Sequence, residues 1–125
     1  MKELRAGECI AERRLTFRES GGSKTRVVVK IGKPLVVPRP GRDWYCTFTI
    51  VGWETRETKS AFGIDSLQAL TLALEMLTAN LRYLERRKNG KLTWLGDAGL
   101  DLLPRQEASK KRRMVSRARA TSHGR

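Results

Sequence analysis

The sequence predicts an α+β domain: a twisted antiparallel sheet in the order β-β-β-β-α-β with one long amphipathic helix packed on one face. A basic C-terminal tail follows it. Three observations predict this. Four segments alternate apolar and polar residues with period two, as half-buried strands do. One segment carries leucines at steps of three and four, the period of a helix face. The last 22 residues, from Pro104, hold eight Lys or Arg against Glu107 alone, with Met114 and Val115 as their sizeable apolar groups. Such a stretch cannot bury enough surface to offset its ordering entropy and is expected to be disordered in isolation. The expected organisation is therefore a single domain over residues 1–103 and a tail over 104–125.

The first strand is read over Cys9 to Arg18, with Ala11, Leu15 and Phe17 on the core parity and Glu12, Arg14, Thr16 and Arg18 on the other. Glu19 to Ser23 contains Gly21 and Gly22, which supply the positive φ of a hairpin turn. Lys24 to Ile31 returns, with Val27, Val29 and Ile31 inward and Arg26, Val28 and Lys30 outward. Pro34, Pro38 and Pro40 make Gly32 to Arg42 a loop, with an edge segment at Leu35-Val36-Val37. Asp43 to Val51 is the third strand, with Trp44, Cys46, Phe48 and Ile50 on one face and Tyr45, Thr47, Thr49 and Val51 on the other. Gly52 to Glu57 reads as a turn, and Thr58 to Ile64 as a shorter strand with Phe62 and Ile64 inward.

The helix is expected over Asp65 to Lys88, with Leu67, Leu70, Leu74, Leu77, Leu81 and Leu84 as its buried stripe. Asp65 suits the N-cap, and Gln68 three residues on suits a capping box. Asn89-Gly90 closes the helix, Gly90 being expected in the left-handed conformation. Lys91 to Leu95 reads as the last strand, ended by Gly96-Asp97.

The segments Asp43-Trp44-Tyr45-Cys46-Thr47-Phe48-Thr49-Ile50, Phe62-Gly63-Ile64-Asp65-Ser66-Leu67-Gln68-Ala69-Leu70 and Leu92-Thr93-Trp94-Leu95-Gly96 occur in that order. Together they resemble a family of small bacterial proteins known only as a domain of unknown function, over roughly residues 9–100. The resemblance implies a compact bacterial α+β domain. It implies no activity, and it leaves the tail out.

Several chemistries lack their residues. The single histidine, His123, lies in the tail, whereas acid–base catalysis needs fixed geometry. Cys9 and Cys46 form no C-x-x-C pair, so no structural zinc site is expected, and free thiols suit a cytoplasmic protein. Neither a P-loop nor a dinucleotide-binding glycine motif occurs. No run approaches a membrane span, and no apolar leader follows Met1. The expectation is a non-enzymatic protein with no catalytic residues, no metal and no cofactor, away from the membrane.

What the sequence does carry is cationic charge. Its 26 Lys and Arg against 13 Asp and Glu give +13 over 125 residues. Residues 1–103 hold 18 basic and 12 acidic residues (+6), and residues 104–125 hold eight and one (+7). The run Lys110-Lys111-Arg112-Arg113, followed by Arg117 and Arg119, is the sharpest feature. Closely spaced cations bind polyanions by displacing counterions, and Arg forks onto phosphate oxygens. Arg14, Arg18 and Lys30, outward on their strands, offer a second nucleic-acid-binding surface, with Tyr45 as its aromatic. The expectation is therefore nucleic-acid binding (RNA or DNA), largely sequence-independent, through the tail. The alternative is a protein-interaction or immunity-type module that docks on a protein partner through a sheet edge or the Trp53 turn, with the tail dispensable. A third reading is self-association through an exposed strand edge.

Overall fold

The computed structural model describes residues 4–41 and 43–103. Strands β1 (Cys9–Glu19), β2 (Lys24–Gly32), β3 (Leu35–Val36), β4 (Trp44–Gly52) and β5 (Thr55–Gly63) precede helix α1 (Ser66–Arg87), and β6 (Gly90–Thr93) follows it. All strands join one curled antiparallel sheet. Across it β5 pairs β4, β4 pairs β2, β2 pairs β1 and β1 pairs β6. The predicted edge segment is β3, which follows β2 along the same side of β4: Ile31 opposes Phe48, and Leu35 opposes Tyr45 beyond the interruption at Pro34.

The core lies between the sheet and α1. Leu15, Phe17, Val27, Val29, Ile31, Cys46, Phe48 and Ile50 point inward from their strands as their parity dictates. Ala11, expected with them, is exposed near the irregular start of the β1–β2 ladder.

Several expectations need correction. Only Trp53 and Glu54 form the turn between β4 and β5, and both have positive φ (52° and 65°), the type I′ geometry that matches strand twist. That short turn fixes the register at Trp44 opposite Gly63 and Cys46 opposite Ala61. Ala61 and Gly63 therefore face the core, whereas Phe62 points to the other side, 48% exposed, and Ile64 is 78% exposed beyond the strand. The expected longer turn had the opposite parity, and a one-residue slip reverses every side chain.

The helix stripe is also rotated from the leucine pattern. Ala69, Ala73, Leu77, Leu81 and Leu84 are buried, Leu70 and Leu74 are half-buried, and Leu67 is 68% exposed. The small residues let the start of α1 settle onto Gly63, where a Cβ would stand 2.5 Å from the Ala69 nitrogen. Asp65 caps the helix as expected, accepting from the Gln68 N–H at 2.8 Å. Gln68 reaches back one residue further than in a capping box, accepting from the Ile64 N–H at 2.7 Å.

At the other end, Asn89 rather than Gly90 takes the left-handed conformation (φ 60°). Gly90 instead opens β6, because a side chain there would collide with the Phe17 ring and the Arg18 carbonyl. After β6, Trp94 bridges to Asp97 around Leu95 and Gly96, both with positive φ, so the last strand is shorter than Lys91 to Leu95. Arg13 stacks on the Trp94 ring at 3.8 Å and donates to the Leu100 and Asp101 carbonyls at 2.9 Å each. This ties the C-terminal segment to β1, with Leu100 buried in the core.

Candidate nucleic-acid interface

Helix α1 covers one face of the sheet, and the register defines what the other face presents. Residues directly opposite in antiparallel strands share a face, so rows can be read across it. One row is Arg56, Val51, Val28 and Arg14. The next is Thr58, Thr49, Lys30 and Glu12. At the far end lie Arg26, Thr16 and Thr93, then Lys24, Arg18 and Lys91. Seven cations (Arg14, Arg18, Lys24, Arg26, Lys30, Arg56 and Lys91) thus share this face with one carboxylate, Glu12. All seven are exposed except Lys30, which is half-buried.

The face is graded. Its cationic end gives way to a hydroxyl strip, in which Thr47 and Ser60 hydrogen-bond at 2.9 Å and Thr49 and Thr58 at 3.3 Å. Beyond that lies an apolar corner of Phe62, Tyr45 and Leu35. Tyr45 sits there as its parity predicts, with its ring 6.2 Å from that of Phe62. It is only 3% exposed, however, and its hydroxyl donates to the Arg5 carbonyl at 2.6 Å. The segment before β1 therefore covers this aromatic, and Phe62 is the accessible one.

Charge compensation on this face is slight. Glu12 pairs with Arg14 at 3.4 Å, and both side chains are well exposed. The other six cations have no ion pair with a described residue. Lys24, Arg18 and Lys91 lie directly opposite one another on three adjacent strands, an arrangement that like charges disfavour. Neighbouring positions are about 4.8 Å apart across strands and about 6.8 Å apart two residues along one. Both spacings fall within the Debye length of about 8 Å at physiological salt, so the row Lys24, Arg18 and Lys91, with Arg26 two residues from Lys24, acts together. Glu12, Arg14, Arg26, Val28, Lys30, Val51 and Arg56 line a shallow depression of about 320 Å³.

Of the residues expected from the sequence to contact nucleic acid, Arg14, Arg18 and Lys30 are brought together here. Lys110, Lys111, Arg112, Arg113, Arg117 and Arg119 lie outside the described residues. Arg56 falls in the turn that the sequence predicts over Gly52 to Glu57, and its alternation with Thr58 and Ser60 is the signal that places it on the strand. Lys91 is not legible because the sequence does not show that β6 pairs with β1, whereas Lys24 shares the outward parity of Arg26 and Lys30, and that parity is its available signal.

Trp53, the candidate partner anchor, is half-buried. Its ring packs edge-on against Phe17 with centroids 5.1 Å apart, and Lys88 Nζ lies 5.6 Å from the ring centre. Its buried Nε1 has no hydrogen-bond partner among the described residues. Cys9 is an exposed free thiol and Cys46 a buried one, and burial pushes the Cys46 thiol above its ordinary pKa. Among the described residues no group of three His, Cys, Asp or Glu side chains converges as a metal would require, and no helix is long and apolar enough to cross a membrane.

Fold and surface define a small α+β domain whose sheet is backed by one helix on one face and cationic on the other. The chain belongs to the family described as "Domain of unknown function (DUF6968)", whose model matches residues 11–103. No curated protein and no solved structure matches it.

Proposed function

We propose that the protein is a non-enzymatic, cytoplasmic accessory protein that binds RNA or DNA, largely independently of sequence, through the cationic sheet face and the basic tail together. One observation carries the reading: seven cations face one carboxylate, with Lys24, Arg18 and Lys91 aligned. Solubility alone is served by mixed charges, which do not repel one another. A row of like charges is a local cost that a polyanion removes. Bound phosphates accept hydrogen bonds from the Arg and Lys side chains and release condensed counterions. The exposed Phe62 beside the hydroxyl strip offers one base a stacking surface, the sequence-tolerant contact of single-strand binders. The eight basic residues of 104–125 extend the same chemistry along the strand.

The test is affinity for a labelled single-stranded oligonucleotide across a salt series, for the full chain and for a chain ending at Leu103. Expected are a steep salt dependence for the full chain and loss of most of its affinity on truncation, with the remainder still salt-dependent. Affinity indifferent to salt overturns the reading. A partner retained from lysate after nuclease treatment, with the tail dispensable, favours the protein-interaction module instead.

A further inference from the structure

The edge of the sheet formed by β5 carries an inference beyond nucleic-acid binding and independent of it. β5 pairs with β4 alone among the described strands, and no described residue pairs with its outer edge. It is nine residues long, pairs in unbroken register with β4 and contains no proline. It thus lacks three usual devices that blunt an edge: shortness, a bulge and proline. Lys59 and Arg56 are charges of the kind that protect edges, but their neighbours make the edge complementary to itself.

The two-residue turn makes Gly52 and Thr55 a mutually hydrogen-bonded pair, and such pairs alternate along an antiparallel ladder. The N–H and C=O groups of Thr55, Glu57 and Lys59 therefore turn toward β4, whereas those of Arg56, Thr58 and Ser60 turn outward. Two copies can pair these outward groups antiparallel about a two-fold axis through Thr58. Thr58 then meets Thr58, Arg56 meets Ser60, and Glu57 meets Lys59 twice. The Glu57–Lys59 pairs fall at the non-hydrogen-bonded positions, where side chains lie closest. Shifting the axis by one residue would set Lys59 against Lys59. Charge thus selects one register.

Among the described residues Glu57 has no ion pair, and Lys59 has only a 3.4 Å contact with Asn80 Oδ1 of α1. Met76 and Tyr83, 37% and 49% exposed, lie four residues before and three after Asn80, on the same flank of α1. A second copy seated on this edge covers that flank.

We propose that the chain forms a two-fold dimer by antiparallel pairing of β5 edges centred on Thr58, with reciprocal Glu57–Lys59 ion pairs. The dimer joins the two sheets, and each Arg56 then stands beside the axis on the cationic side.

The test is sedimentation of the nuclease-treated, full-length chain over a concentration series. The wild type is expected at twice 14.2 kDa. Glu57→Lys and Lys59→Glu each set like charges opposite one another twice and are expected to weaken the dimer about tenfold or more. The double exchange E57K/K59E is expected to restore it. Thr58→Pro removes an outward N–H and the exposed Thr58–Thr49 hydroxyl contact but no backbone bond to β4, and it is expected to be monomeric with an unchanged circular dichroism spectrum. Thr58→Val, which loses the hydroxyl contact alone, is expected to stay dimeric. A wild type that stays at 14.2 kDa at every concentration overturns the proposal. So does a dimer that survives Thr58→Pro, or a double exchange that fails to restore what the single changes abolish.

Discussion

Arg18→Glu should make this protein more stable and a poorer binder at once. Arg18 lies between Lys24 and Lys91 on the open face, directly opposite each, with no ion pair to a described residue. The substitution turns two like-charge pairs into two opposite-charge pairs. Cross-strand pairs are worth roughly 0.2–1 kcal/mol each, and exposure places these toward the low end. The summed change is therefore about 0.5–1.5 kcal/mol in favour of folding at low salt, and it should shrink as salt screens the charges. For a domain of this size, 1 kcal/mol raises the melting temperature by roughly 4–8 °C. Urea unfolding at two salt concentrations checks it. On the binding side, loss of one phosphate contact lowers the slope of log K against log salt by about 0.7 for a single strand and 0.9 for a duplex. Raising salt from 50 to 200 mM, about 0.6 log units, should then weaken the variant roughly threefold less than the wild type. Refutation is equally concrete: if Arg18→Glu unfolds at lower urea than the wild type, the cationic row carries no repulsion. If its oligonucleotide affinity and salt slope match the wild type, this end of the face does not meet phosphate.

Other predictions follow from the packing. Leu77→Ala, at a fully buried position where α1 meets the sheet, should cost about 3 kcal/mol in urea unfolding, because the sheet cannot follow the helix into the space left. Gly90→Ala should cost about 1–3 kcal/mol by driving a methyl into the Phe17 ring and the Arg18 carbonyl, and it should shift the Phe17 ring resonances in NMR spectra. A thiol reagent at neutral pH should modify Cys9 at once and Cys46 only on unfolding, giving one fast equivalent. The Cys46 thiol has a raised pKa when folded, so the unfolded chain releases its proton first as pH rises. Its contribution is thus complete below about pH 8.5, the ordinary thiol value, and declines above it; Cys46→Ala should flatten that part of the stability–pH profile.

The strands facing the core were legible because their periodicity is local. Val27, Val29 and Ile31, or Cys46, Phe48 and Ile50, declare their side by alternation alone, and the sheet buries them accordingly. β5 was not, because its parity depends on the length of the preceding turn, and Trp53-Glu54 is not among the residue pairs that advertise a two-residue hairpin. The leucine stripe misled for a different reason. Buried residues at the start of α1 are chosen by how closely the helix approaches Gly63, and Ala69 and Ala73 win there over the larger Leu67. The candidate site was half legible. Arg14, Arg18 and Lys30 follow from parity within a hairpin, whereas Lys91 and Arg56 join them only through pairings between strands distant in sequence.

Those pairings also explain why the charge belongs to the face and not to its strands singly. No strand carries more than three of the seven cations, and β1 offsets Arg14 with Glu12. Density arises where β1, β2 and β6 lie side by side, so it depends on the sheet being formed. A binding surface of this kind should vanish on unfolding, whereas a basic tail keeps its affinity in either state. The full chain and the chain ending at Leu103 should therefore respond differently to urea in a binding assay. The truncated chain should lose oligonucleotide affinity along its unfolding curve. The full chain should retain the tail's share past the midpoint. Coincident loss in both would place all the affinity on the folded face, and persistence in the truncated chain after unfolding would remove the sheet from the account.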